Sequence, residues 1–109
     1  MSNFTQEWNY VAAGINVTGR QLGWAATHRS EAELIALIHS ELSEALEALR
    51  LGNPPDEHLP EFTGLEVELA DVVIRVMDFA LSKGYSVAEA IEAKAEFNKT
   101  RPYKHGKKF

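Results

Sequence analysis

The strongest constraint on this chain is where apolar residues fall around the segment Ile38–Gly52, IHSELSEALEALRLG. At about 100° per residue, with Glu41 at zero, Leu34, Leu37, Ile38, Ala45, Ala48 and Leu49 all project within about 80° of it. Glu44 projects about 60° from Glu41, whereas Glu47 points off the stripe and reads as a solvated acid. The spacing predicts an amphipathic helix that carries two carboxylates inside its own apolar face. The segment LEVELADVVIRVMDFA repeats the pattern. There Glu68 lies at the edge of a stripe of Leu65, Leu69, Val72, Val76 and Phe79, Asp71 lies beside it, and Arg75 and Asp78 continue the polar line.

The rest of the chain reads as further helices. Ser30–Glu33, Thr63–Glu66 and Ser86–Glu89 each place a hydroxyl three residues before a Glu, the spacing of a capping box. Gly52 with Asn53-Pro54-Pro55 stops the second helix and Gly84 the third. A first helix is predicted over roughly Thr5 to Gln21, weakened by Gly14, Val17, Thr18 and Gly19. The loop from Gly52 to Phe62 carries Pro54, Pro55 and Pro60 and reads as a connector, and no β-type alternation of useful length is present. The expected fold is all-α, a four-helix bundle-like protomer forming one domain over residues 1–109. The third helix is also apolar on its other side, through Val67, Ala70, Ile74, Met77 and Leu81. A helix apolar nearly all round needs cover on two sides, and another subunit is the expected second cover.

Composition narrows the chemistry. A net charge of −5 argues against polymeric nucleic acid and anionic membrane as partners. The chain has no cysteine, so disulfides, thiolate metal sites and a cysteine nucleophile are excluded. Without an apolar run near the roughly 18 residues of a membrane span, or a signal-type apolar segment, a cytoplasmic location is expected. The bases gather late: Lys94, Lys99, Arg101, Lys104, Lys107 and Lys108 stand against Glu96 alone, ending in a basic tail over 101–109.

Carboxylates in an apolar stripe need a cation or must take up protons. Arg75 is one available partner. The alternative is that Glu41, Glu44, Glu68 and Asp71 converge from two facing helices on a hard divalent cation, Mg²⁺ or Mn²⁺, which prefers oxygen ligands. A di-iron bundle would need Glu-x-x-His, but the i+3 positions are Glu44 and Asp71, and His39 points to the opposite face from Glu41. On the fourth helix, Lys94, Asn98 and Arg101 fall on one line with Val87, Ala90 and Ile91. Long cationic stems often snorkel along a core. Beside a metal site the same three residues suit a polyphosphate, and the tail residues Tyr103, Lys104, His105 and Lys107 could close over it. No Walker loop, GxGxxG or histidine-activated serine is present. The phosphate chemistry left is attack on phosphorus by metal-activated water.

Together, Ser40-Glu41-Leu42-Ser43-Glu44, then Glu68-Leu69-Ala70-Asp71, and the later Lys94, Asn98 and Arg101 make the chain resemble the MazG-like all-α nucleoside triphosphate pyrophosphohydrolases, a group related to dimeric dUTPases. That family carries E-E-x-x-E, a spacer and E-x-x-D, and the resemblance runs from about Leu34 to His105. It implies Mg²⁺-dependent hydrolysis of a nucleoside triphosphate, a deoxy one first, to the monophosphate and pyrophosphate. It further implies Glu41, Glu44, Glu68 and Asp71 as metal ligands, Lys94, Asn98 and Arg101 as phosphate contacts, and a homodimer or homotetramer. One residue departs: the first Glu of the motif is Ser40 here, so orienting or deprotonating the water passes to Glu41, to Glu44 or to a water network, with Glu41 and Glu44 the catalytic candidates. Trp8, Trp24 and His28 are candidates to stack on a base and Asn16 to hydrogen-bond one, though aromatic residues of a first helix equally fit a core. The competing reading is a helical nucleotide- or metal-binding module, or an assembly module, without turnover.

Overall fold

The computed structural model describes residues 1–103 and is all-helical. Helix α1 (Asn3–Leu22) is followed by a short 3₁₀ turn (Ala26–His28), then α2 (Glu31–Arg50), α3 (Gly64–Lys83) and α4 (Val87–Asn98). Among the described residues the only β-type pairing is an isolated bridge between Pro55 and Thr63. His105, Lys104 and Lys107 lie outside the described residues.

The helix ends show which local signals act. Thr63 and Glu66 form the complete capping box that their spacing predicts. Ser30 accepts from the Glu33 amide, but the Glu33 carboxylate turns to Arg29 at 2.7 Å instead of back to the cap. The Ser86 box does not form. Ser86 has φ −84 and ψ 64 and makes no side-chain cap bond. Those angles belong to an inverse γ-turn, closed here by the Val87 amide on the Tyr85 carbonyl, which removes Ser86 from the extended backbone a cap requires. Helix α1 starts earlier than expected because Ser2, not Thr5, is its cap. Thr5 sits in the first turn, buried, and donates with Ser2 to Glu92 of α4 at 2.8 and 2.6 Å. Helix α4 ends at Asn98, so Arg101 lies beyond it instead of on its last turn.

Helix α3 is the centre of the fold. Its tightest partner is α2, α1 lies against another side together with the 3₁₀ turn, and α4 rests chiefly on α1. At the α2–α3 junction Gly52 and Asn53 both take positive φ, and the Asn53 side chain accepts the Leu65 amide, turning the chain straight into α3. Ala48 comes so close to Gly64 that a Cβ there would lie 3.3 Å from it. Helix α1 covers part of the second side of α3, where Ile74 lines a groove with Tyr10, Gly14 and Thr18 and Met77 one with Trp8 and Ala12, while Ala70 and Leu81 of the same side stay exposed.

A buried polar knot fixes α1 on α3. Asp78, 3% exposed, accepts from the Asn16 side-chain amide at 2.8 Å and from the Ala26 backbone amide at 2.7 Å. The Asn16 amide also donates to Ser82 at 3.0 Å. Around this knot the fully buried apolar residues are small, mostly alanines such as Ala12, Ala26 and Ala80, with Leu34 the largest. The protein's surface is correspondingly generous. It exposes 7876 Å², against ~6,000 Å² for a compact monomer of this mass. Its radius of gyration is 16.1 Å, where ~13 Å is usual. Ile35, Leu42, Leu46 and Leu49 on α2, and Leu69 and Val73 on α3, are each about half exposed.

Asp78→Ala strands the buried Ala26 amide and leaves Asn16 only its bond to Ser82, and is expected to cost about 1–3 kcal/mol or more, measured by urea unfolding. Ser82→Ala, which leaves Asn16 its bond to Asp78, is expected to cost under about 1 kcal/mol.

Candidate metal centre

The helical register that buries α2 against α3 also turns their acids toward each other. Glu41 from α2 and Glu68 and Asp71 from α3 each place a carboxylate oxygen within 4.8 Å of the others, all three partly buried. These three residues would hold a divalent cation, each offering one carboxylate oxygen. All three donors are hard oxygens, the set that Mg²⁺ or Mn²⁺ prefers. Among the described residues Glu68 and Asp71 accept no hydrogen bond, and Arg75, through its Nε at 2.9 Å from Glu41 Oε1, is the one base paired with the cluster.

The electrostatics report crowded charge. Burial pushes the Glu68 carboxyl above its ordinary range, reinforced by Asp71, Glu41, Glu44 and Asp56. Burial likewise raises Asp71, with Glu41 and Asp56 adding to it and the Arg75 guanidinium opposing. Each shift has the direction expected where negative groups are assembled without enough positive charge.

The fourth acid of the motif stands slightly apart. Glu44 is exposed, outside the triad, and lines an adjacent cleft with Glu68, Asp56 and Pro55. Asp56, which the prolines of its loop disguised as part of a connector, is an acidic neighbour of Glu68 and Asp71 that helical projection misses. Its carboxylate accepts the His58 and Leu59 amides at 2.9 Å, and the Asp56 amide bonds to Phe62. Only the Asp-before-turn pattern hints at this.

Above the triad, Trp24, Glu41, Asp71, Ile74 and Arg75 line a cavity of about 330 Å³. Trp24 packs its ring over Gly19, where a Cβ would meet it at 2.9 Å, and its indole also borders a larger apolar groove of about 620 Å³ along α1. Of the other base-contact candidates, Asn16 is buried in the Asp78 knot, His28 is exposed on the 3₁₀ turn, and Trp8 packs against Phe4 with ring centroids 5.8 Å apart. The cations of the last helix gather elsewhere. Lys94 and Asn98 line a groove with Val87, Ala90, Ile91 and Ala95 that shares no residue with the carboxylate cavity. Lys94 lies 4.8 Å and Arg101 5.8 Å from the Phe97 ring centre. Tyr103 is 85% exposed.

No family model, no curated protein and no solved structure matches this chain.

Because Asp71 binds its proton more tightly in the folded state than in the unfolded one, its carboxylate subtracts stability as pH rises through its raised pKa. In chelator, Asp71→Asn is therefore expected to gain stability relative to the parent as pH climbs above about 4, the ordinary Asp value. Urea unfolding across that range checks the sign. Saturating Mg²⁺ is expected to reverse it, stabilising the parent and not the variant.

Proposed function

We propose that the protein is a MazG-like, Mg²⁺-dependent nucleoside triphosphate pyrophosphohydrolase. The observation that carries this reading is the meeting of Glu41, Glu68 and Asp71 within 4.8 Å across α2 and α3, on the E-x-x-E and E-x-x-D spacing. Glu41, Glu68 and Asp71 would hold Mg²⁺ or Mn²⁺. The bound ion supplies water of lowered proton affinity and neutralises charge on the phosphoryl oxygens. Glu44, exposed at the rim one turn from Glu41 and not held by another side chain among the described residues, takes the proton of the attacking water. Attack at the α-phosphorus releases pyrophosphate and the nucleoside monophosphate. Trp24 and Ile74, shared between the acidic cavity and the apolar groove, offer the base a wall without base-specific hydrogen bonds.

Phosphate contacts from Lys94 and Asn98, with Arg101 just beyond the helix end, need the α4 region of another copy, because in the protomer Lys94 and Asn98 line a groove separate from the carboxylate cavity. A homodimer or homotetramer also agrees with the half-exposed leucines of α2 and with a surface ~1,900 Å² above that of a compact monomer, where a standard interface takes ~800 Å² per partner. Light scattering is expected to give the mass of two or four protomers, and Leu42→Glu with Leu46→Glu to shift it toward one.

The decisive assay incubates the protein with each common NTP and dNTP plus Mg²⁺ and measures pyrophosphate. Glu41→Gln and Asp71→Asn are each expected to lower the rate at least ~100-fold, the upper end for losing even an outer partner of a metal ligand. Pyrophosphate output that survives both substitutions would remove the site; orthophosphate alone would indicate phosphatase-type cleavage.

A second reading, a binding module without turnover, draws on Ser40. It is exposed where the family motif has a carboxylate, and the neighbouring Glu41 is engaged by Arg75. That reading expects metal-dependent nucleotide binding by calorimetry with no product after long incubation.

A further inference from the structure

We infer that Arg75 is an oxyanion anchor within the carboxylate site, held on Glu41 until that carboxylate engages a divalent cation. The inference rests on the metal-site reading above and adds to it a phosphoryl-binding residue that the family motif does not supply.

Arg75 stands one turn beyond Asp71 and two beyond Glu68 on α3, so its stem runs along the line of acids. It spends one of its five N–H donors on the protein: Nε donates to Glu41 Oε1 at 2.9 Å. Among the described residues no other hydrogen bond holds it, which leaves the two-nitrogen fork uncommitted. Glu41 has only one oxygen in this bond, so the contact is end-on and not the paired, fork-to-fork arrangement that makes Arg–carboxylate bridges strong. The Arg75 side chain is 33% exposed and lines the cavity with Trp24, Glu41, Asp71 and Ile74. That cavity, about 330 Å³, is large beside the ~30 Å³ of a water and admits a phosphate group.

A part-buried ion pair made through a single contact, with side chains 33% and 18% exposed, lacks the paired geometry that makes such bridges strong and is open to exchange. Engaging Glu41 with a cation withdraws the acceptor from Arg75, and its guanidinium then faces the same cavity with its fork aimed at an oxyanion. Planar guanidinium suits two oxygens of one phosphoryl group at once, which an ammonium cannot match. The protomer's other candidates are occupied differently, since Lys94 and Arg101 lie over the Phe97 ring and neither lines the carboxylate cavity. The chemical class recognised is a polyphosphate chain carried with a divalent cation. The rival role, a structural counter-ion fastening α2 to α3, predicts no effect on anion binding.

The test uses Mn²⁺ alone, followed by its paramagnetic signal, and then inorganic tripolyphosphate by calorimetry at saturating Mn²⁺, with no turnover required. Arg75→Met is expected to bind Mn²⁺ about fivefold more tightly, the fold-change of an exposed ion pair at its upper end. It is expected to bind tripolyphosphate ~10- to 100-fold more weakly, the range for hydrogen bonds to charged groups. Arg75→Lys, which keeps the charge and loses the fork, is expected to hold Mn²⁺ near the parent value and to lose roughly tenfold on tripolyphosphate. Should Arg75→Met fail to keep its helical circular dichroism, the Arg75→Lys result decides. Tripolyphosphate affinity unchanged in the folded variant, with Mn²⁺ binding intact in the parent, overturns the anchor and leaves the metal site standing. Failure of the parent to bind Mn²⁺ overturns both.

Discussion

Negative charge drawn together across the α2–α3 seam is the constraint around which the rest of this molecule is arranged. Antiparallel helices ordinarily close such a seam with branched aliphatics. Here Ala48 and Gly64 let the two backbones approach at one end, and Glu41, Glu68 and Asp71 meet farther along. Glu44 and Asp56 add to the same field, and among the described residues Arg75 alone pairs against it. A fold that accepts this repulsion loses stability in its own right, and a cation bound there would restore it. Under the proposed function, stability and cation binding would be coupled at this one place.

Asp71 and Asp78 show that burial of an acid does not by itself mark a site. They lie seven residues apart on α3, yet Asp78 is the more buried and has Asn16 and the Ala26 amide as donors, so nothing remains for a ligand to satisfy. Asp71 has no donor among the described residues and faces other carboxylates. What separates a structural carboxylate from a ligand-seeking one is the supply of N–H groups around it.

Helical projection makes much of this legible from the residues alone, because apolar period and acid position are both local properties. It places Glu41, Glu44, Glu68 and Asp71 on facing lines, of which Glu44 stays outside the triad, and it separates Glu47 from them. Three features escape it for physical reasons. Asp56 belongs to a loop whose course is set by the Asp56–Phe62 and Gly64–Pro54 backbone bonds, not by any period. Ser86 carries the right neighbours for a cap but the wrong backbone, since a γ-turn claims it. Projection also shows that Lys94 and Asn98 share a face with Val87 and Ile91 without saying what that face meets. In the protomer α4 leans on α1, so the basic line and the acidic line part company.

The packing of Trp24 on Gly19 has a consequence for how such a cavity changes size. The indole occupies the space a side chain at position 19 would fill, and the same ring forms one wall above Glu41 and Asp71. The anchorage of the segment behind it, through Ala26 on Asp78, holds that wall at a set distance from α3. A single methyl group added on α1, outside the acidic cluster, would therefore move the ring and alter the width of the opening while leaving every acidic residue in place. The dimensions of the cavity are adjustable independently of its chemistry, through a residue that is not among its lining groups.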